Sequence, residues 1–443
     1  MMHASEILKE VMKVGFDEAV VSAHNYNSIY LKIANYKVDS IVEKRGTMGS
    51  LYVTKGKRIA FTNIEKLDIQ SVRASIENIK RALGNTKPKE DYFGIASGKF
   101  KYRSKSIYDS KIADTGPDKA ASLANDLISK VDASNLAGTL YLTEWKNELA
   151  TSNGVDASAK STAARLSMRI FRGDFSIQDT VASKRLSGID IRQILKSAEF
   201  MEYINAKSKI KAGTYDIIYS RPSAGALLSI ANTMACMGNV ESGSFFTNKL
   251  GSYVADKDLS LYDDGATPEG VASSPFDDEG YPTQKTKFIE NGKLVKYLHN
   301  YSTAKKYNTK STGNAGLVNP EPNMLVVEHK RKQSIDALIS SIDRGILVTN
   351  IWYTRFSNYL TGDFSTMPRD LAIYIEKGSP VFAIKQMGVG SGIGIRISDN
   401  MIRMMKNITR VGNDFAQSTS WETIGTYYFT PSVLAEKVKI SIA

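Results

Sequence analysis

The stretch FDDEGYPTQKTKFIENGKLVKYLHNYSTAKKYNTKSTGNAG, residues 276–316, decides how this 443-residue chain is read. It opens on an acidic run closed by Gly280 and continues as two short apolar runs, 286–290 and 293–298. Similar runs between glycine-rich turns recur at 268–274, 324–328, 346–352, 371–376, 380–385 and 393–397. Runs of that kind predict strands, so residues 211–443 are expected to form a large β-rich domain. Its first strand, TYDIIYS (214–220), leads through Arg221-Pro222 into a helix at 223–237, with further helices at 333–344 and 399–407.

Upstream, one grammar of helix and antiparallel meander occurs twice. Ile7, Leu8, Val11 and Met12 place a short amphipathic helix at 4–14. Alternating runs follow at 18–23, 27–34, 37–44, 48–54 and 57–62, with turns expected at Gly46-Thr47 and Lys55-Gly56. A helix at 67–83 carries Ile69, Val72, Ile76, Ile79 and Leu83 on one stripe. The second unit has a helix from near Asp114 to 132, strands at 138–150, 161–172 and 174–183, and a helix at 189–208. Its Asn153-Gly154 pair suits a tight hairpin, because both residues tolerate positive φ. The expected class is therefore α+β: N-terminal helix-plus-antiparallel-sheet units followed by the β-rich domain. The expected divisions are 1–110, 111–210 and 211–443.

With 42% apolar and 23% charged residues, the balance is that of a folded globular protein. The single cysteine, Cys236, excludes an internal disulfide and any Cys-x-x-Cys site, which fits a cytoplasmic setting. The first residues carry charges every few positions, so no signal peptide is expected. No run approaches the roughly 20 apolar residues of a membrane helix. Half of the +12 net charge sits in residues 80–111, where nine basic side chains face three acidic ones. Tyr92, Phe93, Phe100 and Tyr102 lie among those lysines and could stack on bases. A solvated linker explains the same composition, since charge alone sets only non-specific attraction, and nucleic acid is not expected as a partner.

The common catalytic motifs are missing. Two histidines that share a metal on one helix stand about three to five residues apart, yet His3, His24, His299 and His329 are all widely separated. Cys236, His299 and His329 could join only through the fold. Gly388, Gly390, Gly392 and Gly394 lack both Rossmann and Walker spacing and alternate with Val389, Ile393 and Ile395 as a strand would. There is no Gly-x-Ser-x-Gly elbow, and Ser302-Thr303-Ala304-Lys305 has none of the companions of a Ser-x-x-Lys enzyme. Asp277-Asp278-Glu279-Gly280 is denser in carboxylates than a turn needs; it reads as a solvated loop or as a site for a cation or ammonium group.

Taken whole, residues 276–316 resemble the long signature of the TldD/PmbA family, in which an acidic-Gly turn, a strand and a "TAk…stGnA" segment occur in this order. GTYDIIYSRPSAGALLS (213–229), SGSFFTNKLGSYVADKDLSLYDDG (242–265), TRFSNYLTGDFS (354–365) and SDNMIRMMKNITRVGNDF (398–415) extend the resemblance over nearly all of 211–443. It implies a cytoplasmic metalloprotease built as a pair. TldD-type subunits carry His-Glu-x-x-x-His and a late cysteine as zinc ligands, and PmbA (TldE)-type subunits lack them. On this chain the first histidine falls on Ser229, the glutamate on Ile230 and the second histidine on Met234, and no cysteine follows Cys236. The resemblance thus implies a non-catalytic subunit that binds no cofactor itself, a TldD-like catalytic partner holding the zinc, and unfolded or small peptides as substrate. Homodimers remain open. Asp277, Asp278, Glu279 and Arg355 would position peptide. Two alternatives stand beside this reading: a standalone peptidase built on Cys236 with His299 or His329, and a nucleic-acid factor matching the family's older description as a modulator of gyrase.

Overall fold

In the computed structural model, which describes residues 1–102, 107–173, 175–205, 207–208, 210–384, 394–419 and 425–442, the N-terminal strands run longer than their sequence runs. Strands β1 (Glu18–Ala34), β2 (Lys37–Lys55), β3 (Arg58–Ile64), β4 (Asn135–Thr151), β5 (Asp156–Arg172) and β6 (Phe175–Ser183) form one antiparallel sheet in the order β3-β2-β1-β4-β5-β6. The runs 18–23 and 27–34 are a single strand, and so are 37–44 and 48–54. Gly46-Thr47 is therefore no turn. Gly46 pairs with Tyr26, and a Cβ there would stand 2.8 Å from the tyrosine hydroxyl. That glycine makes room for a ring crossing the strand. The chain reverses instead at Asn35-Tyr36, whose φ angles are 49° and 61°. Asn153-Gly154 does sit in the loop joining β4 to β5. Because β1 pairs with β4 from Val20 to Ala34, segments 1–110 and 111–210 share one sheet.

The helices Ala4–Met12 and Ile69–Gly84 cover one end of that sheet, burying Ile7, Val11, Val72, Ile76 and Ile79 against Val21, Leu51 and Val53. Asp68 caps the second helix by accepting the Ser71 N–H at 2.8 Å. The expected helix at 189–208 is a short α-helix, Arg192–Ala198, continued as a 3-10 helix over Glu199–Asn205. The cluster Gly388, Gly390, Gly392 lies outside the described residues.

In the C-terminal half, Gly213–Tyr219 lies between Arg344–Asn358, its parallel neighbour, and Val433–Ile442, its antiparallel one. Tyr215, Ile217, Ile218 and Tyr219 are all buried, as a strand covered on both faces requires. A second sheet contains Leu259–Asp264, Lys285–Glu290, Leu325–His329 and Tyr427–Thr430. The run 268–274 is a loop rather than a strand. Its apolar character reflects burial: Val271 N–H donates to Gln417, and Ser273 accepts twice from the buried Lys184 ammonium. No helix among the described residues is long and apolar enough to cross a membrane.

The helix Arg221–Met234 lies between the two C-terminal sheets. Leu227, Leu228 and Ala231 share a core with Tyr219, Ile346 and Val348 of one sheet and with Leu261, Leu325 and Tyr428 of the other. A second core joins the two halves of the chain, with Leu166, Met168, Ile177 and Val181 packed among Ile218, Leu347, Ile373 and Leu434.

The helix approaches the sheet closely at Gly225, where a Cβ would meet the Tyr428 ring at 2.0 Å. Helix propensity favours alanine over glycine by about 1 kcal/mol, but an overlap of that size outweighs it. Gly225→Ala is expected to lower stability in urea denaturation by about 1–3 kcal/mol. An unchanged or raised midpoint would show that Tyr428 yields freely and that the contact does not set the spacing.

Candidate functional site

The site is built on the turn from the strand Gly213–Tyr219 into the helix. Ser220 is extended at the cap position and donates its hydroxyl to Thr349 O at 2.6 Å. Pro222 follows in the first turn, where a missing N–H costs nothing. Arg221 is buried and pairs with Asp179 of β6 at 3.0 Å while donating to Gln193 at 2.8 Å. The N-terminal sheet thereby holds the start of the helix.

Further along, Ser229, Ile230, Asn232 and Thr233 line a cavity of about 350 Å³, closed by Asn323, Ile351, Thr354 and residues 425–427. Ser229 donates its hydroxyl to Ala226 O at 3.0 Å. Met234 is not in the lining; it is half-buried against the main core. A hydroxyl, an alkyl chain and a thioether do not fit zinc, which takes imidazole, thiolate or carboxylate ligands. Among the described residues no three His, Cys, Asp or Glu side chains are grouped to share an ion. Cys236 is buried and burial pushes its thiol pKa well up. Burial holds His299 down at about 4, with Nδ1 3.3 Å from the Thr303 hydroxyl. His329 is also lowered by burial and lies 3.4 Å from Asp256.

Beneath the cavity lies a group that drew no attention in the sequence. Asp263 is fully buried and accepts from Asn232 Nδ2 (2.9 Å), Asn314 Nδ2 (2.7 Å), Asn323 N (2.7 Å) and Asn323 Nδ2 (2.9 Å). Burial raises its pKa, an effect that these N–H groups offset only in part. Its only sequence signal is a pair of aspartates ending the apolar run LSLY.

The acidic run is turn architecture. Asp277 accepts the backbone N–H groups of Glu279 (3.0 Å), Tyr281 (2.9 Å) and Ala315 (2.9 Å). Glu279 accepts those of Ala96 and Tyr301, both at 3.3 Å. Burial pushes Asp277 up to about 7, and burial together with the Asp277 charge pushes Glu279 well above its usual range. Asp278 is exposed. Arg355 is exposed on the strand Arg344–Asn358, its guanidinium 5.8 Å from the Tyr353 ring centre. Among the described residues no hydrogen bond or ion pair joins Arg355 to the acidic run, so these four residues occupy three different settings.

The basic connector is tied down over 92–102. Tyr92 donates its hydroxyl to Glu18 at 2.5 Å and Tyr102 to Gly280 O at 2.9 Å. Phe100 meets the Tyr281 ring edge-on at 5.1 Å. Three of the four aromatics that might have stacked on bases are thus engaged within the protein, and only Phe93 is exposed. Arg103 and Lys105 lie outside the described residues.

Residues 212–442 match the family model described as PmbA/TldA metallopeptidase C-terminal domain. The uncharacterized protein MJ0231 of Methanocaldococcus jannaschii is 25% identical over 407 residues, covering 88% of this chain and 92% of its own length. A metalloprotease TldD homolog of Buchnera aphidicola is 31% identical over 228 residues, 49% of this chain and 45% of that protein. The crystal structure of TldE from Thermococcus kodakarensis shares the fold, with a TM-score of 0.80 over 99% of both chains at 22% identity.

Two outcomes follow from the buried carboxyls. Asp263→Ala strands three asparagine side chains and is expected to destabilise by about 3–5 kcal/mol, whereas Ile230→Val at the cavity wall costs about 0.5–1.5 kcal/mol; equal losses in urea would refute the ranking. Asp277 and Glu279 have folded pKa values above the unfolded carboxyl range near 4. Their contribution is therefore full below about pH 4; that of Asp277 is lost as pH rises through about 7, and that of Glu279 as pH rises through its own raised pKa. Melting temperature should fall from pH 5 to pH 8, and Glu279→Gln, which keeps an oxygen for both N–H groups, should flatten that fall. An identical pH profile in the variant would count against it.

Proposed function

We propose that this chain, which belongs to the PmbA/TldD metallopeptidase family, is a non-catalytic PmbA/TldE-like subunit completing a cytoplasmic peptidase whose zinc sits in a TldD-like partner. The reading is supported by the helix Arg221–Met234, where the family resemblance puts Ser229, Ile230 and Met234 on the positions of the zinc motif. Ile230 has no atom that can take a proton from a metal-bound water. Ser229 already donates its hydroxyl within the helix. The cavity beside them, about 350 Å³, is lined by uncharged side chains among the described residues, as suits a chain that helps enclose unfolded or small peptides while its partner cleaves them.

The test is metal content by mass spectrometry together with hydrolysis of an unstructured peptide. Purified alone, the chain should carry near-zero zinc and cleave nothing. Mixed with the His-Glu-x-x-x-His family member from the same organism, it should form a stable complex and raise cleavage. About one zinc per chain, with hydrolysis by the chain alone that disappears in Cys236→Ala, would overturn the reading.

A further inference from the structure

The cavity's polar side chains have their protons turned inward. Ser229 donates to Ala226 O (3.0 Å) and Thr233 to Ser229 O (3.3 Å). Thr366 donates to Trp352 O (3.1 Å), so its 2.9 Å contact with Thr354 is one in which Thr354 donates. Asn323 Nδ2 is committed to Asp263 and to Gly313 O (3.1 Å). Asn232 Nδ2 donates to Asp263, while its Oδ1, buried just under the lining on a residue only 2% exposed, has no hydrogen-bond partner. What Ser229, Thr233, Thr354 and Asn323 leave for the cavity is lone pairs, and among the described residues Thr426 and Tyr427 add hydroxyls free to adapt. No lining side chain among the described residues is charged. One amide further in sits Asp263, whose oxygens accept four N–H groups that favour its ionised form against the burial that raises its pKa.

A cavity lined by acceptors, with no charged side chain among its described lining residues and a buried carboxyl beneath it, selects a cation rich in donors. A primary ammonium brings three N–H groups. A bare metal ion fits poorly, because about 350 Å³ is the size of a small-molecule pocket. The walls formed by Ile230, Leu325 and Ile351 suit an alkyl group beside the charge. We infer that this cavity binds a primary ammonium, and that the ammonium is the free N-terminus of a peptide. The choice of a peptide end rests on the peptidase-subunit reading; the preference for an ammonium rests on the cavity.

Calorimetric titration of the full chain with Leu-Ala-Ala amide, its N-acetylated form, N-acetyl-lysine amide and potassium chloride separates the cases. The free-N-terminal peptide should bind, and acetylation should weaken it about tenfold or more, since hydrogen bonds to a charged group are lost. Ser229→Ala and Thr354→Val should each weaken it several-fold with melting temperature retained, and Ile230→Lys, carrying its own tethered ammonium, should block it. Equal binding of the acetylated peptide, or none of the free one, overturns the site. Tighter binding of N-acetyl-lysine amide overturns the peptide end in favour of a side chain, and displacement by potassium points to a simple ion. Failure here leaves the non-catalytic reading standing, because that reading is judged by zinc and hydrolysis.

Discussion

Four N–H groups from three separate segments converge on the two oxygens of Asp263. Removing an ionised carboxylate from water costs several kcal/mol, and it persists only where its lone pairs are filled. Each of those N–H groups would in turn cost about 1–3 kcal/mol if left buried without an acceptor. Carboxylate and amides therefore require one another, and together they fix where the helix Arg221–Met234, the 311–316 loop and the start of Leu325–His329 meet. The neighbouring Ala315 N–H goes to Asp277, so the 314–315 dipeptide is held between two buried acids.

That arrangement explains why the densest part of the sequence suggested chemistry. Asp277, Glu279 and Asn314 are polar residues that the chain places inside, where each saturates backbone or amide groups. Density of such residues signals a demanding structure as readily as a binding site. The helix and the central strands were legible because their patterns are local: TYDIIY is apolar almost throughout, and Leu227, Leu228 and Ala231 recur at helical spacing. Gly46 was not, since its meaning depends on Tyr26 on the facing strand. Nor was the 268–274 loop, whose burial comes from Lys184 and Gln417. The cavity was least legible of all. Asn232, Asn323, Thr354 and Thr426 come from distant parts of the chain and share no spacing that a linear reading could detect.

The helix Arg221–Met234 is pinned at three points. Arg221 is held to Asp179 at its start, Gly225 is pressed on Tyr428 in its first half, and Asn232 is held by Asp263 near its end. None of the three uses positions 229, 230 or 234. The helix therefore keeps its place whatever side chains stand at those three positions, and Ser, Ile and Met there are less costly to bury without a metal than charged or imidazole groups. A cavity kept open by a rigid frame, rather than by its own lining, is free to change chemistry.

Arg221 carries the argument across the two halves of the molecule. Its partner Asp179 belongs to β6 of the N-terminal sheet and also accepts from Ser197, so one buried carboxylate holds the sheet, the 192–198 helix and the cavity helix together. Buried ion pairs add little net stability, but breaking one leaves an uncompensated charge. The pair thus opposes relative displacement of the N-terminal sheet and the cavity helix. Packing of Leu166 and Ile177 against Ile218 and Leu434 acts in the same direction, because a shared core resists sliding. The N-terminal sheet is therefore part of the cavity's frame, tied to the cavity helix by the Arg221–Asp179 pair and by the shared core.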